Sequence, residues 1–301
     1  MRTMARAALA LIVFMALFAD CLAGDKAIVI SQGGELSFFA SPQGQETATG
    51  EGTNSLADGD WALWPLWRFH PNAVRSGGEL AVLQAPAGEH LLGTDDRGRD
   101  VASRLVHGAR LSLRLAFYCA FLASFLGVLL ALLASRRAWL DSVVLTTCDS
   151  IAAVPPMLAV IVVGGLVGGQ SLLALTLLIS IPRAASTARI VRDGLRAALA
   201  KPFCESARAV GCSEWRLLLR HALPQCWGQL RVAAALTAST AVLAEVALSF
   251  LGLSAGGPDP SWGELLRQAH EGGLVWWLLI PAGTMTALLS WSLGRIAQAK
   301  Q

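Results

Sequence analysis

Residues 205–224, ESARAVGCSEWRLLLRHALP, form a compact basic segment between the hydrophobic runs of the chain. Their types do not suit bond-making chemistry, because no nucleophile is paired with a base there and no metal-ligand set occurs. They suit recognition, since three arginines and two glutamates are interspersed with apolar residues at helical spacing. The segment therefore indicates a short lever that a soluble partner grips.

Lysines and cysteines provide no alternative reactive centre. None of the three lysines follows a glycine, so a Walker A phosphate loop is excluded. The six cysteines form no C-x-x-C pair and mostly lie in or beside apolar runs, which favours packing roles. Cys21 follows an apolar run as in a lipoprotein signal, but Asp20 stands where a small residue is needed. We expect no catalytic residue, no metal and no cofactor.

The composition places these residues in a membrane protein. Hydrophobic residues make up 54% of the 301 residues and charged residues 15%, whereas an ordinary soluble domain carries about 25% charged residues. The net charge of +3 gives no indication of a nucleic-acid partner. The sequence predicts an all-α polytopic membrane protein.

Uncharged or nearly uncharged stretches predict the membrane spans, since a helix of about 20 residues crosses ~30 Å of hydrocarbon. Single spans are expected at residues 115–134, 232–251 and 274–294. Residues 150–182 are uncharged over 33 positions, which predicts two spans joined by a hairpin at 164–171. Residues 7–19 add a shorter candidate that is either a cleaved signal peptide or a retained anchor. We favour the anchor, which makes six spans.

Basic residues give the orientation. Arginines and lysines crowd into the short loops and termini that share one side of a six-span chain, and that side is the cytoplasm. Residues 24–108 then face outward. Within them, 61–71 hold three tryptophans, typical of a membrane-interface belt, a small folded cap or a partner surface. The alternating charges of residues 95–100 predict a local salt-bridged turn.

The lever itself is predicted to contain two short amphipathic helices. Pro202 suits the first turn of one helix, and Gly211 ends it because glycine adopts the left-handed conformation of a sharp stop. Ser213 is expected to cap the second helix, and Pro224 to end it before the next span. Their apolar faces are Phe203, Ala207 and Val210 in the first helix and Trp215, Leu218, Leu219 and Ala222 in the second.

This segment resembles the cytoplasmic motif of bacterial importer permeases of the ATP-binding-cassette (ABC) class. That motif reads E-A-A, three residues, G, nine residues, an apolar residue, any residue, then L-P. Here Glu205-Ser206-Ala207 precede Gly211 by three residues, and Leu223-Pro224 close the motif, while Ser206 and His221 depart from it. Residues 90–113 and 244–266 are similar to C-type permease subunits of the dipeptide/oligopeptide branch, so the resemblance covers about residues 90–297.

The resemblance implies a bacterial inner-membrane permease subunit for peptides or related solutes, with both termini cytoplasmic. Its partners would be a second homologous permease, two ATPase subunits, an external solute-binding protein and membrane lipid, with no nucleic acid. Residues 1–23 would be the anchor, 24–108 an extended periplasmic loop, and 109–301 the permease core with five spans and the coupling segment 203–224. The residues implied in ATPase coupling are Glu205, Ala207, Arg208, Gly211, Trp215, Leu223 and Pro224.

Two acids within or beside the spans keep an alternative open. Asp149 and Glu245 are possible pore-lining residues, since intramembrane charge usually faces a cavity or a partner. Glu245 could equally cap a helix break and pair with an arginine. In a stand-alone carrier driven by an ion gradient, the two acids would couple the ion to transport. Such a carrier needs no cytoplasmic lever, so the segment 205–224 argues against it.

Overall fold

The computed structural model describes residues 2–32, 35–40, 60–74, 82–88, 90–155, 158–159, 161–162, 171–254 and 259–298. The chain is mostly helical. The helices of these residues are α1 (Arg2–Leu17), α2 (Ala19–Leu22), α3 (Val101–Ala134), α4 (Ala138–Ala153), α5 (Leu172–Leu199), α6 (Pro202–Ala209), α7 (Glu214–Arg216), α8 (Trp227–Phe250), α9 (Trp262–Glu271) and α10 (Trp276–Ala297).

Four helical stretches of the described residues are long and apolar enough to cross a membrane. They are Val101–Ala134, Leu172–Leu199, Glu214–Phe250 and Trp276–Ala297, and Thr3–Leu17 is a shorter apolar helix. The expected spans 115–134, 232–251 and 274–294 fall within three of them. The expected hairpin 164–171 lies almost wholly outside the described residues, so the six-span count is supported only in part.

A small sheet occupies part of the segment that we expected to be loop. Strands β1 (Ala27–Gln32), β2 (Glu35–Ala40) and β3 (Trp61–Leu63) form an antiparallel sheet in the order β2-β1-β3. Val29 pairs with Phe38 on one side and with Leu63 on the other. The all-α expectation therefore holds for the spans but is wrong for this segment. The loop expectation was based on the polar stretch 44–60, which lies between β2 and β3.

The tryptophan-rich residues 61–71 are part of this folded segment. Trp61 lies in β3, and the backbone of Trp67 bonds to Leu22 and Gly24 (N–H···O 2.9 and 3.0 Å). These backbone bonds favour the folded-cap interpretation. Much of the polar stretch between β2 and β3 lies outside the described residues.

Pro224 does not end the second lever helix, which corrects the expectation. Residues Leu217–Ala222 form a π-helical turn and Leu223–Cys226 a 3₁₀ turn, so the helix continues from α7 into α8. The N–H of Leu223 donates to the carbonyl of Leu218, five residues back. Because proline lacks an N–H and crowds the preceding turn, a widened turn ahead of it lets the helix run on.

The chain divides into two compact units. The first contains Met1–Arg6, Arg114–Ala244 and Leu289–Gln301, and the second contains Ala7–Leu113 and Glu245–Leu288. In the first unit, α3 and α5 approach closely at Gly127, where an added Cβ would lie 2.6 Å from Thr187 Cβ. The lever belongs to this unit.

The second unit is centred on α9. Trp262 is fully buried and its indole N–H donates to the carbonyl of Leu105 (2.9 Å). Gly108 leaves room for this ring, because a Cβ there would lie 2.8 Å from it. Gly263 lies against the backbone of Val246. A Cβ added at Gly263 would lie only 2.3 Å from the Val246 carbonyl oxygen, so no side chain fits there. Two glycines thus allow α9 to pack directly on α3 and α8.

Candidate functional site

The lever begins and turns as its sequence predicts. Pro202 occupies the first turn of α6, and Gly211 follows the helix end with φ +86°. The N–H of Gly211 donates to the Arg208 carbonyl (2.9 Å) and that of Cys212 to the Ala207 carbonyl (3.0 Å). This pair of bonds is the Schellman motif, which requires a left-handed residue at the glycine position. The role of Gly211 as the helix stop is confirmed.

Ser213 stands at the N-cap of α7, as expected, but its side chain makes no capping hydrogen bond. The apolar face of the second helix is only partly as predicted. Leu218 and Ala222 are buried, whereas Trp215 and Leu219 are exposed. The π turn spans Leu217–Ala222 and has more residues per turn than a regular helix, so regular helical spacing does not place Leu218, Leu219 and Ala222 on one face.

One side of the lever is fixed to the first unit by packing. Leu218, Ala222 and Cys226 pack in a buried cluster with residues of α3 and α5. The remaining members of this cluster are Ala131, Leu132, Val191, Leu195 and Ala198. The Lys201 ammonium donates to the Gln225 side chain (2.6 Å), and the buried Cys204 thiol contacts the Ala198 carbonyl (3.3 Å). The lever base therefore moves with α3 and α5.

The opposite side of the lever is open. Glu205 is exposed, Val210 is 90% exposed, and an added Cβ at Gly211 would meet nothing within 4 Å. Arg208 donates to Glu214 across the elbow (3.0 Å), and this carboxylate raises the pKa of the Arg208 guanidinium. The structure thus presents an apolar tip, held by an ion pair, on a rigid base.

The remaining predicted lever residues lie around this elbow. Ala207 and Leu223 are half-buried, and Pro224 is exposed. The exposed ring of Trp215 lies 4.9 Å from the guanidinium carbon of Arg136, which precedes α4. Sequence reasoning missed Glu214 and Arg136. The Arg208–Glu214 pair could have been predicted, because the two opposite charges are only six residues apart. The contact of Arg136 with Trp215 could not, because 79 positions separate the two residues.

Asp149 joins two helices of the first unit. It lies on α4 and forms an ion pair with Arg189 of α5. Its neighbour along α4, Asp141, accepts hydrogen bonds from Arg192 and from Arg196 (2.6 Å). Both acids of α4 therefore pair with arginines of α5. The ion pair of Asp149 thus has a structural role, because it holds α4 against α5.

Glu245 is completely buried within the second unit. Its carboxylate accepts hydrogen bonds from the hydroxyls of Ser261 (2.6 Å), Ser249 (2.9 Å) and Ser112 (3.2 Å). Ser261 also caps α9 by accepting from the Gly263 N–H (3.1 Å). The structure thus shows Glu245 joining α3, α8 and the N-terminus of α9. The expected role at a helix end is present, because Glu245 binds Ser261, which caps α9. The expected pairing with an arginine is not seen among the described residues, where the hydrogen-bond partners of Glu245 are serines.

Charges around the start of α3 form a second buried network. Asp95 accepts from the Arg99 side chain (2.7 Å) and from the backbone N–H groups of Arg97 and Arg99, so the predicted salt-bridged turn is confirmed. Arg104, only 1% exposed, binds Glu264 of α9 (2.6 Å). Asp100 caps α3 by accepting from Ser103 N–H (2.8 Å).

Among the described residues, no group of three or more histidines, cysteines or acids is arranged to hold a metal ion. The arrangement instead suits mechanical work, with an exposed elbow on a buried base and a separate polar cluster around α9.

Comparison with known proteins agrees with this arrangement. Residues 123–300 match the family described as binding-protein-dependent transport system inner membrane component. The chain is 35% identical over 202 residues to the dipeptide transport system permease protein DppC of Alkalihalophilus pseudofirmus, covering 66% of each chain. It is 32% identical over 191 residues to the glutathione transport system permease protein GsiD of Pectobacterium atrosepticum, covering 62% of each chain.

A solved structure shares the fold. It is that of the MetNI methionine ABC transporter in inward-facing conformations, with a TM-score of 0.52 at 20% identity over 65% of this chain and 95% of that one. The family match spans more than half of the chain and contains the whole lever. This protein therefore belongs to the inner-membrane components of binding-protein-dependent transport systems, as a multi-pass permease subunit of an ABC importer.

Proposed function

We propose that this permease imports peptides or related solutes, and that the coupling segment 203–224 links it to ATPase subunits. The Gly211 elbow carries the proposal, because it presents an open tip on a base that is packed against α3 and α5. A force on the tip is then transmitted to these helices and not absorbed by a flexible loop. The peptide class comes from relatives named for dipeptide and glutathione transport.

The lever residues take distinct roles in this proposal. Val210, Gly211 and the exposed Glu205 form the surface that enters the ATPase cleft. Arg208 holds the elbow through Glu214, and Leu223 joins the buried base. Ala207 supplies a Schellman carbonyl, Trp215 stacks with Arg136, and Pro224 sets the irregular turn that leads into α8.

The complete importer would contain a second homologous permease, two ATPase subunits and an external solute-binding protein. ATP is hydrolysed by the ATPase subunits, and this chain supplies no catalytic residue. Both termini and the lever lie in the cytoplasm, while residues 24–108 and α9 face outward. The distribution of basic residues supports this orientation.

Retention of the first hydrophobic segment is part of the proposal. The Arg110 guanidinium donates to the Ala16 carbonyl (2.7 Å) and to the Asp20 carboxylate (2.9 Å). Removal of residues 1–23 would take away both partners and leave a half-buried guanidinium without them. Residues 1–23 therefore act as an anchor held by α3.

Co-purification tests the assembly. The tagged chain, extracted gently from its native membrane, is expected to bring down a second permease and ATPase subunits identified by mass spectrometry. The isolated complex, reconstituted with its binding protein, should accumulate peptide with ATP and without an ion gradient. Recovery of the chain alone, together with uptake that follows an imposed proton or sodium gradient, would establish the carrier alternative instead.

A further inference from the structure

Arg183 is a charged residue within a membrane span that none of the roles above uses. It lies on α5, directly after Pro182, and residues 172–182 before it are uncharged. Eleven residues separate it from the helix start at Leu172, which is about 16 Å along a helix that needs about 30 Å to cross. The next charged residue, Arg189, already has a carboxylate partner.

Four carboxylates of the first unit pair with other arginines, and the fifth is exposed on the lever. Residues 114–244 contain five acids, and the other parts of this unit contain none. Asp149 binds Arg189, Asp141 binds Arg192 and Arg196, and Asp193 binds Arg192. Glu214 binds Arg208, and Glu205 is exposed on the lever. None of these five acids therefore forms an ion pair with Arg183 in the structure.

The surroundings of Arg183 offer one weak contact. Its Nε lies 3.5 Å from the Thr237 hydroxyl of α8, and this hydroxyl donates to the Ala233 carbonyl (2.9 Å), which leaves its oxygen free to accept. Within the described part of the chain, the other guanidinium nitrogens make no hydrogen bond or ion pair. A half-buried arginine in a span is costly unless it faces water or an anion.

We propose that Arg183, oriented by Thr237, is an anion-binding residue of the translocation path and receives the carboxylate of the solute. For a peptide this group is the C-terminal carboxylate, which a guanidinium binds with two parallel hydrogen bonds. The inference rests on the proposed importer function, which supplies the path and the solute class. It adds a binding residue and the chemical group that this residue recognises.

A cysteine reporter tests the site without knowledge of the natural solute. Ser186 is exposed and lies one helical turn after Arg183, about 5–6 Å between Cβ atoms. Ser186→Cys in the assembled importer is treated with an anionic and with a cationic methanethiosulfonate, namely the sulfonatoethyl and trimethylammonioethyl reagents. The chain without the added cysteine provides the background from the six native cysteines.

The anionic reagent is expected to react faster than the cationic one, and Arg183→Gln should lower the ratio of the two rates about tenfold. Arg6→Gln, which removes an exposed arginine of the same unit, should leave the ratio unchanged. The proposal is overturned if the introduced thiol reacts with neither reagent, or if the ratio is the same with and without Arg183. The first result would place this face of α5 against lipid or protein, away from water.

Uptake of tri-alanine and of its C-terminal amide provides the second readout. The wild-type importer should prefer the free carboxylate, and Arg183→Gln should lower tri-alanine uptake about tenfold or more to the level of the amide. Arg183→Lys should restore part of the preference. An equal loss for both probes would show a structural role and overturn the proposal. If the wild type imports neither probe, the peptide assignment fails, while the reagent ratio still decides the anion site.

Discussion

The Gly211 elbow allows a direct test of how the lever works. Gly211 has φ +86°, and nothing lies within 4 Å of a Cβ built on it. In Gly211→Ala the added methyl group therefore clashes with no neighbour among the residues that the structure describes. The cost is confined to the backbone, at about 1–2 kcal/mol for an L-residue in the left-handed conformation.

This cost affects ATPase binding because the tip of the lever is free to relax before it docks. In the free permease the elbow of the Ala variant can leave the Schellman geometry, since only the base of the lever is buried. Docking must then restore the left-handed turn. A penalty of about 1–2 kcal/mol weakens the affinity about 5- to 30-fold. Asparagine tolerates this conformation better, so Gly211→Asn should lose less.

The assay measures the dissociation constant between the permease pair in nanodiscs and the purified ATPase subunits. Gly273→Ala is the matched control, because Gly273 also has a positive φ of +85° with nothing within 4 Å of its Cβ, but lies between α9 and α10. Gly273→Ala should bind the ATPase as the wild type does. Both Ala variants should have similar thermal stability.

Two results would refute the reasoning. If Gly211→Ala binds the ATPase with wild-type affinity, the left-handed turn is not needed for docking. If Gly211→Asn and Gly211→Ala lose affinity equally and by more than about 100-fold, the cause is steric exclusion at the interface. The glycine would then be required for close approach of the ATPase and not for the shape of the elbow.

Three further predictions concern the second unit and the first segment. Glu264→Gln should destabilise the purified permease by about 3 kcal/mol, since it leaves the buried Arg104 without its closest carboxylate. The control Glu271→Gln changes an exposed residue and should alter the melting temperature little. Equal effects of the two substitutions would contradict a stabilising Arg104–Glu264 pair. The Arg110 guanidinium, by its hydrogen bond, lowers the pKa of the Asp20 carboxyl. The pair therefore stabilises the fold above the ordinary Asp pKa of about 4, and this contribution is lost as the pH falls through the depressed pKa. The melting-temperature difference between the wild type and Asp20→Asn should narrow accordingly on acidification, and a constant difference would argue against the pair. Intact-mass measurement of the purified protein should show residues 1–23 still attached, and a mass without them would identify a cleaved signal peptide.

Local sequence was sufficient for the features that depend on neighbouring residues. Pro202 begins α6 and Gly211 ends it, because a fixed φ and access to positive φ act within a single turn. The salt-bridged turn at 95–100 was predictable for the same reason, since its partners lie within five residues. Long uncharged stretches likewise indicated the spans.

Contacts between residues far apart in the chain were decided only by the tertiary structure. Glu245 meets Ser112 across 133 positions, and Arg104 meets Glu264 across 160. Pro224 has a local preference to end a helix, but packing of Leu218 and Cys226 in the buried cluster favours a π turn that carries the helix past it. The sequence alone therefore predicted the start and end of α6, the salt-bridged turn and three of the spans. Burial in three dimensions determined which charges are paired, and it left Arg183 of the first unit without a carboxylate.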